Sequence, residues 1–392
     1  MKNKIISVLL GAATMAMAEI SLTPDHENAL YEVGETASVT IVCDKSAKVT
    51  VSNDDGVVTM HELMAGNNTI PFTGGEPGFW WFKGETDGES AMCGIGFSPE
   101  KMSKQVAEPE DFDEFWQNAQ AEAAKIPLDP QLEELPEFST ADFKAYRISF
   151  ANINNTRIYG FLTVPNGDGP YPVYCSVPGA GPNDVRPLQK HNDKVITLVM
   201  NVFPFPLPAT QEAANKLIYE VNYPGNVGYW QLDSDKLEDF FFYRAILGID
   251  RAFTYVANHP KADKKHMVYW GSSQGGAMGV VMAALNPNLT AMVVNVPSDY
   301  SKIFIRSYAK DGNPLISKMP YFAGANFAER VKIPFMASAG MIDTGCTPTQ
   351  ITQFFNQIPG EKLIRYVPAM GHDFDPQYEE MTAEFIDKYL FD

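Results

Sequence analysis

The chain has 392 residues, 45% hydrophobic and 12% aromatic, enough apolar surface for two folded domains with a large buried core. Charged residues make up only 20%, and the 29 glycines and 28 prolines are spread along the chain, which excludes a disordered or fibrous protein. With 30 basic and 48 acidic side chains the formal charge is −18, which argues against nucleic acid and anionic membranes as main partners.

The first residues, Met1-Lys2-Asn3-Lys4, precede an apolar run from Ile5 to Ala16, and Ala16-Met17-Ala18 precedes Glu19. A basic start, a short apolar stretch and an A-x-A site predict a secretory leader over residues 1–18. The run is shorter than the ~20 residues a spanning helix needs. The expectation is an exported chain, periplasmic or secreted, with no membrane span. Cys43, Cys93, Cys175 and Cys346 are the four cysteines. An even number in an exported chain permits bridges, so Cys43 and Cys93 either pair or stay as buried thiols. There is no C-x-x-C and no H-E-x-x-H, and the six histidines are scattered, so no metal is expected.

Residues 19–100 alternate short β-branched or aromatic runs with turn chemistry. ASVTIV at 37–42, KVTV at 48–51 and GFWWF at 78–82 are separated by Asn53-Asp54-Asp55-Gly56 and Asn67-Asn68. This rhythm predicts a small all-β sandwich of the immunoglobulin-like sort. Trp80 and Trp81 suit a sugar platform less well than one ring in the core and one at a domain interface. The polar stretch from Ser98 to Glu108, with Pro99, reads as a connection, so the expected division is 1–18, 19–100, a linker at 101–108, and 109–392.

Beyond Pro109 the period changes. Phe112, Phe115, Trp116, Ala119 and Ala123 share one helix face. A hairpin through Asn154-Asn155 follows, its strands carrying Tyr146, Ile148 and Phe150, then residues 158–164. Apolar runs at 171–177, 195–202, 266–270, 291–296, 333–339 and 363–367 then alternate with helical patterns at 237–256, 276–285, 348–357 and 376–390. Such runs predict a mostly parallel sheet covered on both faces, with chemistry at the carboxyl ends of the strands.

The run at 266–270 leads directly into Gly271-Ser272-Ser273-Gln274-Gly275-Gly276 and then a helix, a G-x-S-x-G in the strand–turn–helix setting that gives it meaning. Glycines suit a turn too tight for Cβ atoms, and the turn presents the Ser273 hydroxyl at a helix N-terminus, where developing negative charge is favoured. A serine needs a base and the base an acid, each expected just past a later strand. Gly340-Met341-Ile342-Asp343 and Pro368-Ala369-Met370-Gly371-His372 fall there. His372 is the only histidine after Ser273; His26 and His61 lie in the β-rich region, and His259 and His266 flank a lysine-rich loop. Asp373 and Asp375 are weaker acid candidates, the first too close in sequence to His372 and the second better placed as a helix cap. Gln274 N–H is the expected first oxyanion donor. The second is expected from Pro178-Gly179-Ala180-Gly181, with Ala180 ahead of Gly179. Activity is expected to fall as His372 takes a proton near ~6.5, unless the site shifts it, and chelators are expected to leave it unchanged.

Over residues 107–392 the chain resembles the acetyl xylan esterase and cephalosporin-C deacetylase family of carbohydrate esterases. The likeness rests on PEDFDEFW (109–116), PLDPQLE (127–133), YRAILGIDRAF (243–253), GSSQGG (271–276), NFAERVKIP (326–334), SAGMIDTGCTP (338–348) and VPAMGHDF (367–374). It implies an α/β-hydrolase fold (a mostly parallel sheet covered by helices), no cofactor, a small acetylated saccharide as substrate, and release of acetate. It carries Ser273, Asp343 and His372 as the triad, with Gln274 and Ala180 as oxyanion donors; a homo-oligomer is compatible with it. Three features depart from the family pattern. Asn201-Val202-Phe203-Pro204-Phe205-Pro206 stands where the family has R-G-Q, its H-G-Y is Pro178-Gly179-Ala180, and its H-E is His372-Asp373. The region 19–100 is an addition to the basic plan. Other readings keep the triad for a glucuronoyl or other sugar ester or for a prolyl-oligopeptidase-like peptidase, or make the core a non-catalytic carbohydrate binder. The segment 298–330 is expected over the site.

Overall fold

The computed structural model describes residues 20–181, 186–188, 193–206, 208, 210–222, 240–300 and 314–392. The expected leader at 1–18 and part of the segment at 298–330 lie outside the described residues.

Eight strands come first: β1 (Ile20–Pro24), β2 (Leu30–Tyr31), β3 (Thr36–Cys43), β4 (Ala47–Asn53), β5 (Gly56–Leu63), β6 (Gly66–Thr73), β7 (Gly78–Glu85) and β8 (Ser90–Phe97). They form a three-stranded sheet, β1-β3-β6, and a five-stranded sheet, β2-β8-β7-β4-β5. Alternate residues of β3 and β4, such as Val39, Ile41, Val49 and Val51, are fully buried in one shared core with Phe82, Ile95 and Phe97. That inward–outward alternation is what two sheets packed face to face require. Trp80 lies in this core, edge-on to Phe97 at 5.3 Å, while Trp81 reaches the second region, as the sequence suggests.

Cys43 and Cys93 do not pair; all four cysteines are buried free thiols. Cys43 sits on the three-stranded sheet with its thiol against the Met64 and Gly66 carbonyls, and Cys93 sits on the other sheet. Burial pushes the Cys93 thiol up to about 12.

The second region begins with α1 (Phe112–Ala124) and continues through β9 (Gln131–Glu134), β10 (Phe143–Asn152), β11 (Thr156–Pro165), β12 (Tyr171–Val177), β13 (Ile196–Met200) and α2 (Gln211–Asn222). Next come α3 (Phe241–Ala257), β14 (Ala262–Ser272), α4 (Gln274–Leu285), β15 (Ala291–Asn295) and α5 (Gly324–Ala328). The chain finishes with β16 (Phe335–Gly340), α6 (Pro348–Gln357), β17 (Lys362–Val367) and α7 (Pro376–Phe391). The strands form one nine-stranded sheet, ordered β17-β16-β15-β14-β12-β13-β11-β10-β9. From β13 to β17 neighbours run parallel; β9, β10 and β11 form an antiparallel flank. Asn154 and Asn155, with φ of 56° and 54°, turn the chain between β10 and β11, where only such small polar residues or glycine sit comfortably.

Both faces of the sheet are covered. Met292 and Val294 point to the side packed by α1, α3, α4 and α6, and Ala291 and Val293 to the side packed by α7. This two-sided burial is the reason the strands read as unbroken apolar runs. The linker is not loose. Lys104 pairs with Glu329, and Arg330 bridges Glu108 and Asp113, fixing residues 104–113 to the end of α5.

Candidate active site

Chain order reverses in the sheet between β12 and β14, with β13 on one side and β15 on the other. In open α/β sheets this reversal leaves a crevice at the carboxyl ends of the strands. The register aligns those ends: Val177 lies beside Gly271, Ser272 beside Asn295, and Gly340 beside Val367. Residues immediately beyond β12, β14, β15, β16 and β17 therefore meet at one edge.

Ser273 stands between β14 and α4 with φ 55° and ψ −118°, a conformation an ordinary side chain adopts at a cost of ~1–3 kcal/mol. The surroundings hold it there. Its N–H donates to the Asn295 carbonyl (3.0 Å), and its own carbonyl accepts from Ala277 (3.0 Å) and Ser298 (2.9 Å). A Cβ on Gly275 would lie 1.9 Å from the Val177 carbonyl oxygen, one on Gly271 2.6 Å from the Gly275 carbonyl, and one on Gly276 2.7 Å from Pro297. Gly271 and Gly275 are thus required by backbone meeting backbone, and Gly276 by the close approach of Pro297.

His372 Nε2 lies 2.9 Å from Ser273 Oγ, and His372 Nδ1 lies 2.6 Å from Asp343 Oδ2. Asp343 is buried, 2% exposed, and its other oxygen accepts the N–H groups of Gly345 (2.8 Å) and Cys346 (2.9 Å). Asp343 thus has one carboxylate oxygen held by the backbone and the other directed at the imidazole. Asp375 caps α7 through the Tyr378 N–H and pairs with Arg365, and Asp373 Oδ1 accepts the N–H of Phe374 (2.8 Å). The Asp343 hydrogen bond, then the Cys346 thiol, favour the imidazolium and raise the His372 pKa above the ordinary 6.5, while partial burial opposes them.

A cavity of about 480 Å³ opens over Ser273 and His372, lined also by Gly179, Ala180, Trp270 and Phe374. Ala180 therefore shares a cavity with the serine hydroxyl, as expected of a loop leaving β12. Gln274 is the first residue of α4 and is buried. Where the family pattern has R-G-Q, Val202 and Phe203 are buried in the sheet core. Among the described residues, one group of three metal-type donors comes together, Asp343, Cys346 and His372, within 4.8 Å of one another. Asp343 and His372 are already bonded to each other.

Asn295 is a site residue that sequence reasoning missed. Its Nδ2 donates to Ser272 Oγ (3.3 Å) and to the Asp373 carbonyl (3.1 Å), and its Oδ1 accepts from Ser338 Oγ (2.6 Å). It thereby links the serine turn, the histidine loop and β16. The available signal was a polar residue ending an otherwise apolar strand, AMVVN, at the edge where chemistry was expected.

The family model for acetyl xylan esterases matches residues 100–389. The acetyl esterase Axe7A of Xylanibacter ruminicola is 27% identical over 423 aligned residues, 95% of this chain and 93% of that protein. Two solved structures share the fold at TM-score 0.63 and 22% identity: acetyl xylan esterase 1 from Thermoanaerobacterium sp. JW/SL YS485 and the acetyl xylan esterase from Paenibacillus sp. R4. They cover 75% and 74% of this chain and 98% of their own lengths. The fold is an α/β-hydrolase core preceded by an all-β region.

Proposed function

The chain belongs to the acetyl xylan esterase family and is a carboxylic ester hydrolase, and from that premise we propose that Ser273, His372 and Asp343 remove acetyl groups from acetylated xylan-type saccharides. One observation carries the reading: the unbroken relay of 2.9 Å and 2.6 Å from hydroxyl to imidazole to buried carboxylate.

Ser273 Oγ attacks the acetyl carbonyl carbon while His372 Nε2 takes its proton. The carbonyl oxygen gains negative charge, and the backbone N–H groups of Gln274 and Ala180 are our choice to receive it; losing such a donor typically costs ~3–4 kcal/mol. His372 then passes its proton to the departing sugar hydroxyl, leaving an acetyl-serine. Water repeats the sequence in reverse: His372 takes its proton, hydroxide adds to the acetyl carbon, and acetate leaves as Ser273 regains its hydrogen. Asp343 holds Nδ1–H throughout, so that Nε2 is free to act as base. An acidic surface suits neutral saccharides, and residues 1–18 have the order of an export leader, so we place the reaction outside the cytoplasm.

The test is Ser273→Ala with acetate release measured from acetylated xylo-oligosaccharides and turnover from para-nitrophenyl acetate. The expected outcome is loss of both activities with an unchanged far-UV circular dichroism spectrum. A rate like that of the parent chain would refute the assignment. Esters of increasing acyl length then separate a deacetylase from a general esterase.

A further inference from the structure

The family match begins at residue 100, so it assigns no task to the eight strands before it. Those strands meet the hydrolase region behind the loops that bear the acid and the base. Trp81 on β7 and Gly94 on β8 are cross-strand partners in one rung of the sheet. Trp81 Nε1 donates to the Met341 carbonyl at 2.7 Å, two residues before Asp343. Gly94 N–H donates to the Pro368 carbonyl at 2.9 Å, four residues before His372. A single rung thus holds the backbones of both loops.

The approach leaves no room for a side chain at position 94. A Cβ there would lie 2.5 Å from the Met341 carbonyl oxygen. Met341 itself is wholly buried, its side chain counted among the core of the β-sandwich although it belongs to the acid loop. The two loops are in turn tied together, Met341 N–H to the Val367 carbonyl (2.9 Å) and Ile342 N–H to the Met370 carbonyl (3.1 Å). Beside the rung the Phe79 ring meets Tyr366, the penultimate residue of β17, at 5.4 Å between centroids.

We infer that the Trp81–Gly94 rung positions the acid and base loops, setting the Asp343–His372 separation on which the proposed reaction depends. The inference rests on the triad reading above. Neither residue touches the reacting atoms, so both are positioning residues. A hydrogen bond of 2.6 Å weakens steeply when its partners shift or tilt, and misplacement by an ångström can cost ~100-fold in rate.

The test uses the full chain. Trp81→Phe keeps a ring in the seam and removes the N–H donor; Gly94→Ala forces the Met341 carbonyl away. Each is measured on para-nitrophenyl acetate beside the parent, Asp343→Asn, and the corresponding double variant. The expected result for Trp81→Phe is a kcat lower by about tenfold with KM unchanged, a partial displacement on the scale above. The same substitution should cost nothing further once Asp343 is Asn, because the alignment it protects is then absent. Gly94→Ala should repeat the pattern. Parent-like kcat in both variants, or an equal loss in the Asp343→Asn background, would overturn the inference, as would failure of both to fold, which would make the seam purely structural. Activity surviving in Ser273→Ala would instead refute the triad reading.

Discussion

Ser273 is a residue whose backbone conformation and chemistry cannot be separated. Its positive φ is imposed by a turn between a strand and a helix, and the same turn aims the hydroxyl at His372. As the proposed base, His372 should carry the pH dependence. Asp343 raises the His372 pKa, so the imidazole stays protonated to a higher pH than a free histidine would. Only the neutral ring can accept the serine proton, so activity should fall with acidification through a midpoint above 6.5 rather than at it. Rate profiles between pH 5 and 11 check this, and a midpoint at or below the ordinary value would contradict it. Asp343→Asn removes the main cause of the shift and the control of the ring tautomer; kcat should drop by ~1,000- to 10,000-fold. The proposed triad of Ser273, Asp343 and His372 was legible because each follows a strand in the order such chemistry needs. Asn295 was not, because its role depends on which loops lie beside it.

At the scale of elements, the strands and helices follow the apolar periods closely, and the differences have local causes. The helix expected beyond Pro109 starts at Phe112, and the one expected from Gly276 starts at Gln274, directly after Ser273. β14 extends back to Ala262 because it pairs with Tyr171 there, although its first residues are polar. β9, with the exposed sequence QLEE, gave no apolar signal; it exists through pairing with β10 at the sheet edge. The turn between β14 and α4 is the element with least tolerance. Gly275→Ala would put a methyl 1.9 Å from the Val177 carbonyl, so β12 and the head of α4 would have to separate. The expected result is a lower melting temperature together with severe loss of turnover, readable by thermal scanning calorimetry and ester hydrolysis. A variant with parent-like stability would show that the turn can relax.

On the scale of the whole molecule, the β-sandwich and the hydrolase region share a seam rather than a tether. Reading the sequence alone, one expects removal of residues 19–100 to spare the chemistry. The structure changes that expectation, since Met341 of the acid loop is buried in the sandwich core and Tyr366 packs against it. A chain starting at residue 99 would expose both, and burying such side chains is worth ~1.5–3 kcal/mol each. It should melt at a lower temperature and turn over more slowly; parent-like values in calorimetry and kinetics would restore the independent-domain view.

The sequence by itself determined the class of fold, with an all-β region ahead of it, and pointed to Ser273, His372 and Asp343 for the proposed chemistry, because periodicity and strand-to-turn transitions are local properties of the chain. Only the tertiary structure decided that the cysteines stay unpaired, that Asn295 links the serine turn, the histidine loop and β16, and that Trp81 and Gly94 grip the loops of Asp343 and His372. Each of those depends on which surfaces come to face one another. Sheet order and the packing of two regions select those partners, and no spacing along the chain encodes them.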